Sequence, residues 1–118
     1  MKSSLSLYQK YVDLLEYSYI LLKKYPKHEK HALVLEIKEN IYSTLKQIYL
    51  INRKRISNIE KRETLYNIDS EVMILKQFIR ISYKEKYISS NNYKEWSKRV
   101  VEIGKMIGGF INYAHKNW

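Results

Sequence analysis

Three glycines and one proline in 118 residues leave this chain few places to turn. A chain with few turns must be built from long elements, and long elements in a chain this short are helices. Four segments carry apolar residues spaced by three and four, the mark of a helix with one buried face. The first spans about residues 5–24 on Tyr8, Val12, Leu15, Tyr19 and Leu22, widened by Tyr11 and Leu14. The second spans about residues 29–52 on Leu33, Ile37, Ile41, Leu45 and Ile48. The third spans about residues 59–83 on Leu65, Ile68, Val72, Leu75 and Ile79. The fourth spans about residues 91–115 on Trp96, Val100, Ile103, Ile107 and Phe110.

Each break has a physical cause. Pro26 cannot continue the first helix but fits the opening turn of the next. Lys23 and Lys24 lie where a helix C-terminus favours cations. Residues 53–58 carry no apolar stripe and end in Ser57 and Asn58, both good N-caps; Ser89 and Ser90 play that part for the fourth helix. Helices of about 20–25 residues are roughly 30–37 Å long. Four of matched length with short connections predict an all-α, up-down-up-down four-helix bundle occupying residues 1–118 as a single domain.

Composition narrows the function. Twenty-two Lys and Arg against twelve Asp and Glu give a net charge of +10, an imbalance that favours polyanions, nucleic acid first and an anionic membrane surface second. The same sequence is rich in Lys, Ile, Tyr and Asn, which a coding bias would also produce, although Glu has not risen alongside Lys. The absence of cysteine excludes disulfides and cysteine–zinc sites. No signal peptide is visible and no run of about 18 apolar residues exists, so a cytoplasmic chain without a membrane helix is expected.

No catalytic constellation is present: there is no nucleophile elbow and no phosphate loop. Asp69 and Glu71 are two apart on a helix and do not face each other. His28 and His31 are three apart but lack a carboxylate or cysteine companion at ligand spacing, and Glu-x-x-His pairs of the di-iron kind are missing. A non-enzymatic chain with no cofactor and no metal is expected.

The charges cluster under the bundle topology. The first and third turns share one end, gathering Lys23, Lys24, Lys27, Lys30, Lys84 and Lys86. The second turn lies at the other end with Arg53, Lys54, Arg55, Lys61 and Arg62. Lys76, Arg80 and Lys84 are spaced by four and form a basic rail along the third helix. Most of the twelve tyrosines fall on or beside apolar stripes; Tyr83 and Tyr87 lie beside the rail and are the candidates for stacking on bases. Gly104, Gly108 and Gly109 fall inside the fourth helix, where each weakens it by about 1 kcal/mol relative to alanine. Close packing offsets such a loss, either within the bundle or against a second subunit; with Phe110, Tyr113 and Trp118 beside them, a subunit interface is expected.

Several of these residues match a known family. The run Tyr25-Pro26-Lys27-His28-Glu29-Lys30 is similar to a Phe-Pro-Lys-x-Glu-Arg helix opening, and Leu75-Lys76-x-x-x-Arg80-Ile81 to Leu-Arg-x-x-x-Arg-Leu. Lys86-Tyr87-Ile88-Ser89, with Tyr93 following, is similar to Gly-x-Ile-Ser. The most specific run, Glu102-Ile103-Gly104-Lys105-Met106-Ile107-Gly108-Gly109-Phe110, is close to Glu-Ile-Gly-Arg-Met-x-Gly-Gly-Trp. The chain thus resembles the Avd-like proteins, the accessory variability determinants of diversity-generating retroelements, over about residues 8–110.

The resemblance implies a four-helix bundle assembled as a barrel-like homopentamer. It also implies a non-catalytic role beside a reverse transcriptase, with the basic surface contacting that enzyme and its RNA or DNA without strong sequence specificity. Lys76 stands where an arginine is usual and offers a point charge rather than a bidentate fork; Lys86 stands for a glycine and Phe110 for a tryptophan. Two alternatives remain open: a freestanding RNA-binding bundle related to the proteins of ribosomal RNA intervening sequences, and a structural adaptor that binds only protein.

Overall fold

A computed structural model describes residues 4–53 and 55–118. It contains four helices: α1 (Ser4–Leu22), α2 (Leu33–Ile51), α3 (Asn58–Lys84) and α4 (Ser90–Asn117). Each helix packs against its neighbours in the order α1–α2–α3–α4 and back to α1, and among the described residues no diagonal pair of helices brings its backbones together. This is the up-down-up-down bundle that the spacing predicts, with overall extents of 45 × 24 × 19 Å.

The two later helices bury the stripes expected of them. Leu65, Ile68, Val72, Leu75 and Ile79 of α3, and Trp96, Val100, Ile103, Ile107 and Phe110 of α4, all lie in the core. The first helix departs from expectation. Tyr11, Leu14 and Leu22 are buried as expected, together with Leu7, Ser18 and Leu21, whereas Tyr8, Val12, Leu15 and Tyr19 are only half-buried. Apolar residues surround much of α1, so periodicity cannot choose the inward face. The partner of Trp96 chooses it. The indole N–H of Trp96, wholly buried, donates to Ser18 Oγ at 3.0 Å. Ser18 Oγ in turn donates to the Leu14 carbonyl at 2.7 Å. A buried indole N–H needs such an acceptor, and Ser18 supplies it from the face that carries Leu14.

The displaced stripe fills the outer α1–α2 groove. Tyr8 packs on Tyr49 and Tyr19 on Tyr42, each with ring centroids 6.3 Å apart. In α2 the core takes Val34, Ile37, Asn40, Ile41, Thr44, Ile48 and Ile51, while Leu33 and Leu45 are half-buried. Asn40 ties α2 to α3, its side-chain amide donating to the Glu71 carbonyl at 3.0 Å and to Glu71 Oε2 at 3.1 Å.

The helix ends follow from capping. Ser57 Oγ accepts from the Glu60 N–H at 3.1 Å, and Ser89 Oγ from the Asn92 N–H at 3.0 Å. These are the two N-caps read from the sequence. The start of α2 lies later than expected. Pro26 precedes a single 3-10 turn, Lys27–Glu29, and α2 begins only at Leu33, because Ala32, at φ −122° and ψ −103°, interrupts the helical path.

At the far end of α3, Lys86 adopts φ 64°, a left-handed conformation that favours glycine. The Tyr87 N–H bonds the Ser82 carbonyl at 2.9 Å and the Lys86 N–H bonds that of Tyr83 at 3.0 Å. This pairing is a Schellman C-cap, and it explains why a glycine would suit the position that Lys86 occupies.

Two substitutions test this account. Ser18→Ala strands the Trp96 N–H and should lower unfolding free energy by about 1–3 kcal/mol in a denaturant titration. Lys86→Gly relieves the left-handed strain and should raise it by about 1 kcal/mol.

Candidate nucleic-acid and partner surface

The rail predicted on α3 exists as a surface feature. Arg80 and Lys84 are exposed and Lys76 is half-buried. Lys76 Nζ lies 3.9 Å from where a Cβ on Gly104 would stand, so the rail runs along the groove between α3 and α4. Among the described residues the only ion pair is Lys10 with Glu102, at 3.4 Å and exposed. The rail cations therefore carry their charge without a carboxylate in contact.

Beside the rail, Tyr83 and Tyr93 stack with centroids 4.4 Å apart and planes 12° apart. Tyr83 remains 40% exposed, which leaves an aromatic surface next to Arg80 and Lys84. Tyr87, the other stacking candidate, is occupied elsewhere. Its hydroxyl donates to Glu29 Oε2 at 2.8 Å and lies 3.3 Å from His28 Nε2. Its ring packs against Tyr25 at 5.2 Å. Tyr87 thus clamps the first turn to the third, and the hydrogen bond to the Glu29 carboxylate pushes its pKa up. Only Tyr93, of the stacked pair, escaped the sequence reading as an aromatic partner; its position one turn into α4, opposite Tyr83, was the available signal.

The opposite end has mixed charge. Arg53 and Arg55 are exposed and share a cleft of about 470 Å³ with Glu60 and Glu63. Arg62 is half-buried. Lys61 Nζ sits 5.6 Å over the Trp118 ring, and Lys54 lies outside the described residues. A further cleft between α1 and α4 mixes Lys10, Lys98 and Arg99 with Asp13, Glu95 and Glu102. There the Arg99 guanidinium stacks 4.5 Å from the centre of the Tyr17 ring. Neither cleft matches the unopposed charge of the rail.

The three glycines divide. Gly104 is in ordinary contact with Val72 and Lys76, whereas a Cβ on Gly108 or Gly109 would meet nothing within 4 Å. Packing inside the bundle therefore does not account for Gly108 or Gly109. Phe110 packs into the core at 8% exposure, so its side chain belongs to the bundle rather than to an outer surface. Met73, Val101 and Tyr113 are exposed on α3 and α4. The rail runs from the level of Gly104 towards Tyr93, and Gly108 and Gly109 continue towards the other end.

His28 and His31 are both exposed. Among the described residues no group of three or more His, Cys, Asp or Glu side chains could hold a metal ion, and no helix is long and apolar enough to cross a membrane.

These features define a class: an antiparallel four-helix bundle with a cationic helix edge and glycines on an outer face. Within that class the chain belongs to the bAvd-like family, whose model matches residues 5–114. No curated protein sequence matches the chain.

Burial also fixes how this end of the bundle responds to alkali. The Tyr25 hydroxyl is pushed up to about 12, chiefly by burial. Its folded-state pKa lies above the ordinary value of 10.0, so the neutral form is favoured by folding. That stability is present below pH 10 and is lost as pH rises through the folded value. Tyr25→Phe should therefore lose less stability than the parent chain between pH 10 and about 12, read by denaturant titration at each pH.

Proposed function

We propose that this chain is a non-catalytic accessory protein of a diversity-generating retroelement, holding template RNA or DNA beside a reverse transcriptase. The observation that carries this reading is the rail of Lys76, Arg80 and Lys84, unopposed by carboxylates and flanked by the stacked Tyr83 and Tyr93, on a chain of the bAvd-like family. Cations in a line attract successive phosphates and release their counterions. An exposed tyrosine beside them offers a surface on which any unpaired base can stack. Neither device reads base edges, so binding carries little sequence specificity. The cleft bearing Arg53 and Arg55, with its acidic neighbours Glu60 and Glu63, suits contact with protein better than with phosphate.

The chain acts as a homo-oligomer, a barrel-like pentamer, with α4 at the subunit contact. Gly108 and Gly109 support this part of the reading: each weakens its helix by about 1 kcal/mol, and nothing inside the bundle uses the space. A second backbone approaching α4 would use it. Repetition around a ring presents several rails to one nucleic acid and converts weak contacts into avidity.

Two measurements test the proposal. In fluorescence anisotropy with a structured RNA, affinity should fall steeply with salt. The triple variant Lys76→Ala, Arg80→Ala, Lys84→Ala should lose at least about tenfold in affinity and reduce the logarithmic salt slope by up to about 3. An unchanged slope would remove the rail from the interface. In light scattering, the parent chain should have the mass of a pentamer. Gly108→Ala should lower that mass while raising the stability of the dissociated bundle by up to about 1 kcal/mol. A parent chain that is monomeric at all concentrations would end the subunit reading.

A further inference from the structure

A second binding feature lies at the α1–α2 connection, on the side of the bundle away from the α3–α4 groove. Helix α1 stops at Leu22 and α2 starts at Leu33, with one 3-10 turn between them. Beside the connection lies a pocket of about 350 Å³. Its floor is apolar, made by Leu22, Tyr25, Pro26 and Val34, with Tyr19 on one wall. Every charged side chain that lines it is a lysine: Lys23, Lys27, Lys30 and Lys38. The ammonium of Lys38 lies 5.4 Å from the centre of the Tyr19 ring. Glu29, Glu36 and Glu39 lie near these lysines in sequence but none of them lines the pocket, and Glu29 is engaged elsewhere. It accepts from the Tyr87 hydroxyl at 2.8 Å and from the Leu33 N–H at 3.4 Å.

We propose that this pocket docks an acidic segment of a partner protein, with one large apolar side chain on the floor and flanking Asp or Glu carboxylates on the lysine rim. Charge complementarity carries the sign of the ligand: four cations surround the opening and no acid lines it. The floor carries its class. A nucleobase placed there would bury polar edge groups against carbon, with no partner for them. A leucine or phenylalanine side chain gives up no hydrogen bonds and removes apolar surface from water.

The rim agrees with this assignment. It contains lysines and no arginine, so it offers mobile point charges that can meet carboxylates spaced along a flexible segment. Lysine stems also extend the apolar wall while their heads stay in water. No residue of the rail lines this pocket, and its apolar floor is what sets its ligand apart. The two surfaces therefore take chemically different partners, and this inference stands independently of the reading given for the rail.

The test is fluorescence anisotropy on the full chain with a labelled peptide of Asp and Glu residues around one central leucine. The controls are the same peptide with serine at the centre, and an oligothymidylate competitor. The chain should bind the leucine peptide, and the serine peptide should bind about tenfold more weakly, since a buried leucine is worth at least that factor. The double variant Lys27→Glu, Lys30→Glu alters only exposed side chains and should weaken the leucine peptide by about tenfold or more. The double variant Lys76→Ala, Arg80→Ala should bind the peptide like the parent chain. Absence of peptide binding would overturn the proposal, as would equal binding of the two peptides or indifference to Lys27→Glu, Lys30→Glu. Displacement of the peptide by oligothymidylate in the Lys76→Ala, Arg80→Ala variant would also overturn it, since the pocket would then be a nucleic-acid site.

Discussion

Trp96 is the largest side chain buried without exposure in this bundle, and its indole N–H must be satisfied where no water reaches. The bond to Ser18 Oγ at 3.0 Å meets that need and fixes the rotation of α1 against α4. Once Ser18 faces inward, Leu7, Tyr11, Leu14 and Leu21 face inward with it, because they share its side of the helix. Tyr8 and Tyr19 are then turned into the α1–α2 groove, where they meet Tyr49 and Tyr42. One hydrogen bond thus chooses between two apolar faces that hydrophobicity alone leaves nearly equivalent. The burial of the stripes supplies the bulk of the driving force; the polar pair supplies the orientation.

The same division between driving force and orientation recurs at the end of the bundle that holds the first and third turns. The apolar contacts of Tyr25 bring the connections together. The Tyr87–Glu29 hydrogen bond then clamps them, with Lys86 in a left-handed conformation so that the chain can turn back at once. This clamp withdraws Tyr87 and Glu29 from the surface chemistry. With Glu29 engaged there, the charged side chains that line the neighbouring pocket are all lysines. The geometry of a turn therefore decides how much positive charge is available to partners.

On the other side, the groove between α3 and α4 joins three features that are far apart in the chain. Lys76 and Arg80 come from α3, the Tyr83–Tyr93 stack bridges both helices, and the Lys76 ammonium reaches α4 beside Gly104. A cationic edge next to small residues can meet a polyanion and a second backbone on adjoining surfaces. That arrangement suits an accessory protein, which acts by placing other molecules and needs no reacting group of its own.

Much of this was legible in the residues. The shortage of glycine and proline, the three-and-four spacing and the serine caps at Ser57 and Ser89 determined four helices, their order and the core faces of α3 and α4, because capping and amphipathicity are local properties. The spacing of Lys76, Arg80 and Lys84 likewise placed them on one helical edge. The tertiary structure alone decided what depends on contacts between distant residues. It chose the inward face of α1 through Ser18 and Trp96, 78 positions apart. It delayed the start of α2 until Leu33, after the non-helical Ala32. It spent Tyr87 on a clamp and left Tyr83 exposed, and it put Glu60 and Glu63 beside Arg53 and Arg55. The reason is common to all of these: periodicity states which residues can share a face, and only the neighbouring helices state which face is buried and which charges are already answered.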